Sequence, residues 1–180
     1  MNNQYFSQYI EVIKDKFLSI DEKILSDIKK QLLIVKNNNS KVIIVGNGGS
    51  AAIANHVSID LMKTANIRSL TFSDPSLITC FANDYGYENW VAKAIEHHHH
   101  QNDLIILISS SGKSMNLVNA ASKSKELGLN LITLTGFIKN NSLSKMGDIN
   151  LWIDSNSYNV IENVHQIALL SVLDFIISEK

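Results

Sequence analysis

The chain has 180 residues, of which 45% are hydrophobic and 18% charged, and its formal net charge is −1. This composition is typical of one globular domain with a substantial core, and the near-neutral charge excludes the basic footprint of a nucleic-acid-binding protein. Cys80 is the only cysteine, and no apolar run reaches the roughly 20 residues of a membrane span. We therefore expect a cytoplasmic protein without disulfides that binds neither nucleic acid nor membrane directly.

Residues 3–37 predict two helices. Apolar residues recur at helical spacing over residues 9–17 and again over 24–35, and Asp21 between them is a suitable N-cap. The apolar residues occupy more than one face of the pair. Two interpretations stay open, because such a pair can pack against another subunit or can cover one side of a sheet.

The rest of the chain predicts strands that alternate with helices. The strands are expected at residues 41–45, 68–72, 104–108, 129–134 and 149–153. The helices are expected at residues 50–65, 76–82, 88–98, 115–127 and 160–178, with a loop at 83–87. This alternation predicts an α/β fold, a three-layer sandwich with a central parallel sheet of about five strands. We expect one domain over residues 1–180, with 1–38 as a helical extension.

The segment KVIIVGNGGSAA, residues 41–52, reads as a buried strand, a glycine-rich turn and a helix start. The glycines would let the backbone approach a ligand, and the first free N–H groups of the helix and the Ser50 hydroxyl would form an anion cradle, although an ordinary tight turn explains the same residues. The spacing is not that of a dinucleotide-binding motif, because Ala51 replaces its third glycine.

A second polar turn follows the strand at 104–108. It contains Ser109, Ser110, Ser111 and Ser114 and leads into a helix. It is not a P-loop, because Leu107 stands where that motif requires a glycine. Hydroxyl groups and free helix N–H groups suit a phosphate monoester, and two such turns on neighbouring strands strengthen the prediction of a phosphate site.

At this point the sequence resembles the sugar isomerase (SIS) domain family, and most closely its phosphoheptose isomerases. The resemblance covers nearly the whole chain and lies in GNGGSAA at 46–52, FANDYGYE at 81–88, ISSSGKSMN at 108–116, LITLTG at 131–136 and IENVHQI at 161–167. It implies a flavodoxin-like fold and isomerisation of sedoheptulose 7-phosphate to a heptose 7-phosphate. It also implies a homotetramer whose subunits meet through the N-terminal helices and share active sites.

The resemblance also implies a set of site residues. The predicted substrate-binding residues are Asn47, Gly48, Gly49, Ser50, Asp84, Ser109, Ser110, Ser111, Ser114 and Glu162. Among them the serines would bind the phosphate and the sugar, and Asn47 and Asp84 would lie near the sugar hydroxyls.

The acid/base residues depart from the family pattern. Asp60 stands where the family has glutamate, Leu170 where it has the catalytic histidine, and Glu162 where it usually has glutamine. His165 matches a different histidine of the last helix. Two interpretations therefore compete: an isomerase with altered catalytic groups, which we take as the main prediction, or a binding protein without turnover, including one that associates with a replication initiator.

In the isomerase interpretation Asp60 is the catalytic base, and its partner is His165 or, as an alternative, His56. The predicted metal ligands, for zinc as the possible cofactor, are His56, Asp60, Glu162 and His165; Glu162 and His165 share a helix face at i, i+3. His56 could equally be a buried, satisfied histidine. We expect Cys80 to be a packed thiol, and the tract His97–His100 to be an ordinary polar helix end rather than a metal site.

Overall fold

The computed structural model describes residues 4–179, which form five strands and seven helices. The strands are β1 (Lys41–Gly46), β2 (Arg68–Leu70), β3 (Leu104–Ser109), β4 (Asn130–Thr135) and β5 (Ile149–Trp152). The helices are α1 (Tyr5–Leu18), α2 (Glu22–Asn37), α3 (Gly49–Lys63), α4 (Pro75–Tyr85), α5 (Trp90–His98), α6 (Met115–Glu126) and α7 (Tyr158–Ser178).

The five strands form one parallel sheet in the order β2-β1-β3-β4-β5. Its central strands carry apolar residues on both faces: in β1, Val42 packs into one core while Ile43 packs into the other. A strand buried on both faces needs no alternation of polar residues, which explains the continuous apolar runs. The predicted α/β fold with five parallel strands is confirmed.

Helices cover both faces of the sheet. Helices α1, α2, α3 and α7 pack on one face and α4, α5 and α6 on the other, so the molecule has three layers. The two predicted N-terminal helices are observed as α1 and α2, except that residue 3 lies outside the described residues. The Asp21 carboxylate caps α2 by accepting a hydrogen bond from the Lys23 N–H at 2.9 Å.

The predicted loop at residues 83–87 is wrong for its first three residues. Helix α4 begins at Pro75, with the Asp74 carboxylate accepting hydrogen bonds from two N–H groups of its first turn, and continues to Tyr85. Gly86, with φ of 83°, then ends the helix. The turn signal therefore marks the residue after the helix rather than its last turn.

Within residues 4–179, α7 is the one helix long and apolar enough to cross a membrane. Packing inside the protein explains this apolar composition, because α7 contacts α1, α2 and α3 and half of its apolar window is buried. The buried residues of α7 are Val160, Ile161, Val164, His165, Ala168, Leu169, Val172, Leu173 and Ile176. It is therefore a core helix of the three-layer fold.

Candidate functional site

The carboxyl ends of β1 and β3 meet where the order of strands in the sheet reverses. The chain leaves β1 through α3 toward β2 on one side and leaves β3 through α6 toward β4 on the other. Gly46 at the end of β1 lies opposite Ile108 near the end of β3. A reversal of this kind opens a crevice between two strand-to-helix turns, which is where open α/β sheets bind ligands.

The crevice contains a cavity of about 140 Å³. Its lining residues are Asn47, Ser50, Ile108, Ser109, Ser110, Ser111, Ser114, Tyr158 and Glu162. Seven of these nine are substrate-binding residues predicted from the sequence. The structure therefore gathers the two polar turns into one small site, which we call the serine cavity.

The serine cavity offers hydrogen-bond donors from backbone and side chains. The N-cap residue of α3 is Gly48, which has no side chain to cap the helix. The N-cap residue of α6 is Ser114, and its hydroxyl does not accept a hydrogen bond from the first turn. The Ser110 hydroxyl is buried, and among the described residues it has no hydrogen-bond partner. A buried hydroxyl without a partner is costly, so this site fits a bound oxygen-rich ligand. Helix N-termini add a favourable field for an anion.

Glu162 brings a negative charge into the same cavity. It projects from α7 toward the first residue of α3, where a Cβ at Gly49 would overlap its carboxylate. A carboxylate at a helix N-terminus is favourable in the absence of another anion. The glycine at position 49 is therefore required for the close approach of α3 and α7, and Glu162 partly fills the anion site.

His56 and Asp60 form a hydrogen-bonded pair on the next turns of α3. His56 Nε2 lies 3.2 Å from Asp60 Oδ2, and the two side chains are 48% and 32% exposed. On the other side of the ring, His56 Nδ1 lies 3.1 Å from Nε2 of Gln166 on α7. The pair therefore lies at the surface seam between α3 and α7, which we call the groove, and both side chains are partly exposed to solvent.

His165 does not join this pair. Its side chain is fully buried, and its Nε2–H donates to the Thr135 carbonyl at 3.1 Å. Burial lowers the pKa of His165 from 6.5 to about 4, although the hydrogen bond to Thr135 raises it. The neutral imidazole of His165 is held in the core by its hydrogen bond to β4, whereas Asp60 is partly exposed between α3 and α7. The structure therefore separates the two predicted catalytic residues, Asp60 and His165.

The model of the SIS domain family matches residues 4–136. The chain belongs to the SIS domain family. It is 32% identical to a phosphoheptose isomerase of Sulfurimonas denitrificans over 136 residues, which are 72% of this chain and 69% of that protein. With a phosphoheptose isomerase of Fusobacterium nucleatum it shares 30% identity over 59% of this chain and 54% of that protein.

Two solved structures of phosphoheptose isomerases match this SIS chain along nearly its whole length. The protein from Neisseria gonorrhoeae has a TM-score of 0.87 at 25% identity, covering 96% of this chain and 95% of its own. The protein from Francisella tularensis has a TM-score of 0.87 at 26% identity, with 99% and 96% covered. The N-terminal helices are thus part of the shared structure.

The four predicted zinc ligands are not gathered in this SIS chain. Across residues 4–179, no three His, Cys, Asp or Glu side chains lie close enough to hold a metal ion. His56 and Asp60 meet, whereas Glu162 points to the start of α3 and His165 lies in the core. Leu170, which replaces the family histidine, packs against the same core. The donors of one chain therefore do not fit zinc, and no step is assigned to it.

A second cavity of about 260 Å³ adjoins the serine cavity and shares Asn47 with it. It lies between α3, β2 and α4, and Gly48 is among its lining residues. Asn55 Oδ1 in its wall already accepts hydrogen bonds from the Thr71 and Ser73 hydroxyls. Its lining, among the described residues, contains no carboxylate and no imidazole.

The remaining predicted residues lie outside the serine cavity. Asp84 is exposed on α4 and accepts a hydrogen bond from the Asn83 side chain. The prediction for Cys80 is wrong, because this cysteine is exposed beside Asp84, on the face of α4 opposite its packed residues. In the histidine tract, the rings of His97 and His98 contact Phe81 and Phe72.

Three site residues were missed from the sequence. Asn116 holds Asn47 through two amide hydrogen bonds of 3.0 and 2.9 Å. Tyr158 lines the serine cavity, and Gln166 contacts His56. Tyr158, Glu162 and Gln166 are spaced i, i+4, i+8, so one stripe of α7 faces α3. That spacing was the signal that could have found two of them.

Proposed function

We propose that this protein is a phosphosugar aldose–ketose isomerase. Its substrate would be sedoheptulose 7-phosphate, converted to glycero-manno-heptose 7-phosphate for a surface polysaccharide. The observation that carries the proposal is the serine cavity at the β1/β3 crevice, with the His56–Asp60 pair farther along α3, the helix that begins at this cavity. The phosphoheptose isomerases among its relatives support the choice of sugar.

The serine cavity would hold the phosphate. Its donors would be the Ser50, Ser109, Ser110, Ser111 and Ser114 hydroxyls together with backbone N–H groups at the starts of α3 and α6, although those of Ser50 and Ala51 also donate to the Asn47 carbonyl. The cavity lining contains no lysine or arginine, so the dianion would be held by neutral donors and helix dipoles. The sugar carbons would then extend along the groove between α3 and α7, past Asn47 and Glu162.

Isomerisation moves a proton between C1 and C2 through an enediol. Asp60 would remove a C1 proton of the ketose, and the C1–H electron pair would form the C1=C2 bond of the enediol while the C2 carbonyl oxygen gains a proton. Return of the proton to C2 from the same face, with loss of the O1–H proton and formation of the C1=O bond, completes the aldose. His56, hydrogen-bonded to Asp60, replaces His165 as the partner of this base, because His165 lies in the core.

The active protein would be a cytoplasmic homotetramer. Helix α1 has no buried residue, and its exposed apolar side chains include Tyr5, Phe6, Ile10 and Leu18. An apolar stripe of this extent is typical of a subunit interface, which supports the interpretation of residues 1–38 as an oligomerisation extension. Sharing of the groove between subunits would cover the half-exposed His56–Asp60 pair.

Leu170 favours a second candidate, a SIS protein that binds a sugar phosphate without turnover and so could act as a partner of a replication initiator. NMR of sedoheptulose 7-phosphate with the purified protein separates the two functions. We expect conversion to the aldose by the wild type and its loss in Asp60→Asn, with zinc and with a chelator as parallel arms. Binding without conversion in every arm would refute the isomerase and favour the binding protein.

A further inference from the structure

The side chain of Gln166 on α7 makes the hydrogen bond that links α7 to the acid/base pair of α3. Its Nε2 lies 3.1 Å from Nδ1 of His56, while Nε2 of the same ring lies 3.2 Å from Asp60 Oδ2. The imidazole of His56 therefore has a partner at both nitrogens: Asp60 of its own helix α3 at Nε2, and Gln166 of α7 at Nδ1. Gln166 is half-buried in the groove, one turn beyond Glu162.

The chemistry of the three groups fixes which atom carries the proton. An ionised Asp60 carboxylate can only accept a hydrogen bond, so His56 Nε2 must donate. In a neutral imidazole the other nitrogen then has a free lone pair, and Nδ1 must accept. The amide of Gln166 supplies the N–H, so this arrangement selects one tautomer and one ring orientation of His56.

We propose that Gln166 is a positioning residue, which acts through His56 to aim the Asp60 carboxylate at the substrate. This proposal rests on the isomerase function above. Gln166 lies one helical turn beyond Glu162 on the stripe of α7 that faces α3, so its amide reaches the groove from α7. In this arrangement the Gln166 amide on α7 orients the His56 imidazole, and the imidazole in turn orients the Asp60 carboxylate on α3.

Solid-state NMR of histidine-labelled protein at about pH 8, where an ordinary imidazole is neutral, reads the tautomer directly. We expect His56 in the wild type to show an unprotonated Nδ1 and a protonated Nε2. In Gln166→Glu a carboxylate faces Nδ1, so Nδ1 should become protonated. In Gln166→Met the Nδ1 signal should move to the position of a nitrogen without a hydrogen bond. Asn163→Ala, on the exposed face of α7, is the matched control.

Kinetics test the positioning role. Gln166→Met should lower kcat about 10-fold and leave KM within about twofold, because a small misplacement of the base slows chemistry more than binding. A protonated Nδ1 in the wild type, or wild-type kcat in Gln166→Met, would overturn the proposal. Absence of turnover in the wild type would instead refute the isomerase function, and the spectra would still decide whether the hydrogen bond between Gln166 and His56 exists.

Discussion

Lowering the pH should destabilise this protein through His165, a core residue. Its pKa is lowered from 6.5 to about 4 by burial, so the native state keeps it neutral where the unfolded chain already binds a proton. The free energy of unfolding is therefore fully retained above about pH 6.5 and falls as the pH drops toward 4. At 1.36 kcal/mol per pKa unit, the complete loss is about 3 kcal/mol, and about 2 kcal/mol of it occurs between pH 7 and pH 5.

Urea unfolding followed by circular dichroism, at one protein concentration, measures this loss. His165→Leu removes the titrating ring, and the Thr135 carbonyl keeps a hydrogen bond from the Ile153 N–H at 2.9 Å. The variant should lose about 1 kcal/mol at pH 7 and lack the additional fall of about 2 kcal/mol toward pH 5. The other five histidines are common to both proteins, so their effects cancel in the comparison.

An equal pH dependence in wild type and His165→Leu would refute the assignment of this histidine to the core. Wild-type stability combined with loss of isomerisation in the variant would instead restore His165 as an acid/base residue. The two outcomes are distinguishable because one is read from unfolding curves and the other from turnover.

Three further predictions concern the cavity and the interface. Ser50→Ala and Ser114→Ala should each weaken binding of the sugar phosphate by about 1 to 3 kcal/mol in calorimetry. The control variant Ser122→Ala, on the exposed face of α6, should bind as the wild type does. Unchanged affinity in both cavity variants would contradict the assignment of this cavity to the phosphate. Glu162→Gln should bind inorganic phosphate about fivefold more tightly, because it removes a like charge that weakens binding by about 1 kcal/mol. The remote control variant Glu126→Gln should bind phosphate as the wild type does. Equal affinities of Glu162→Gln and the wild type would show that Glu162 does not face the anion. Light scattering should give about four times the monomer mass, and Phe6→Asp should lower it; a monomeric wild type would contradict the proposed assembly.

The sheet and the serine cavity were predictable because their signals are local. Continuous apolar runs such as Val42–Val45 indicate strands buried on both faces, and the polar residues that follow two such strands meet wherever parallel strands adjoin. The end of α4 was less predictable, since Asn83 and Asp84 favour turns but the helix continues through them to Gly86.

The acid/base set could not be predicted as well, because the rotation of α7 decides it. Glu162 and His165 share a helix face by spacing, as do Glu162 and Gln166. Packing of α7 beside α3, α1 and α2 on one face of the sheet directs His165 to the Thr135 carbonyl and Gln166 to the groove. The rotation of α7 depends on the tertiary contacts of the whole helix. The sequence of α7 alone therefore does not decide whether His165 or Gln166 faces α3 together with Glu162.

Exchange of solvent deuterium into sedoheptulose 7-phosphate tests the central claim most directly, since it reports proton transfer at C1 and C2 even when net conversion is small. In D2O the wild type should place deuterium on these carbons, and Asp60→Asn should slow this exchange on the order of 100-fold or more while binding the sugar phosphate nearly as well. Asp174→Asn, an exposed charge-matched change on α7, should exchange at the wild-type rate. Absence of exchange in the wild type, or equal exchange in Asp60→Asn, would contradict the proposed active site.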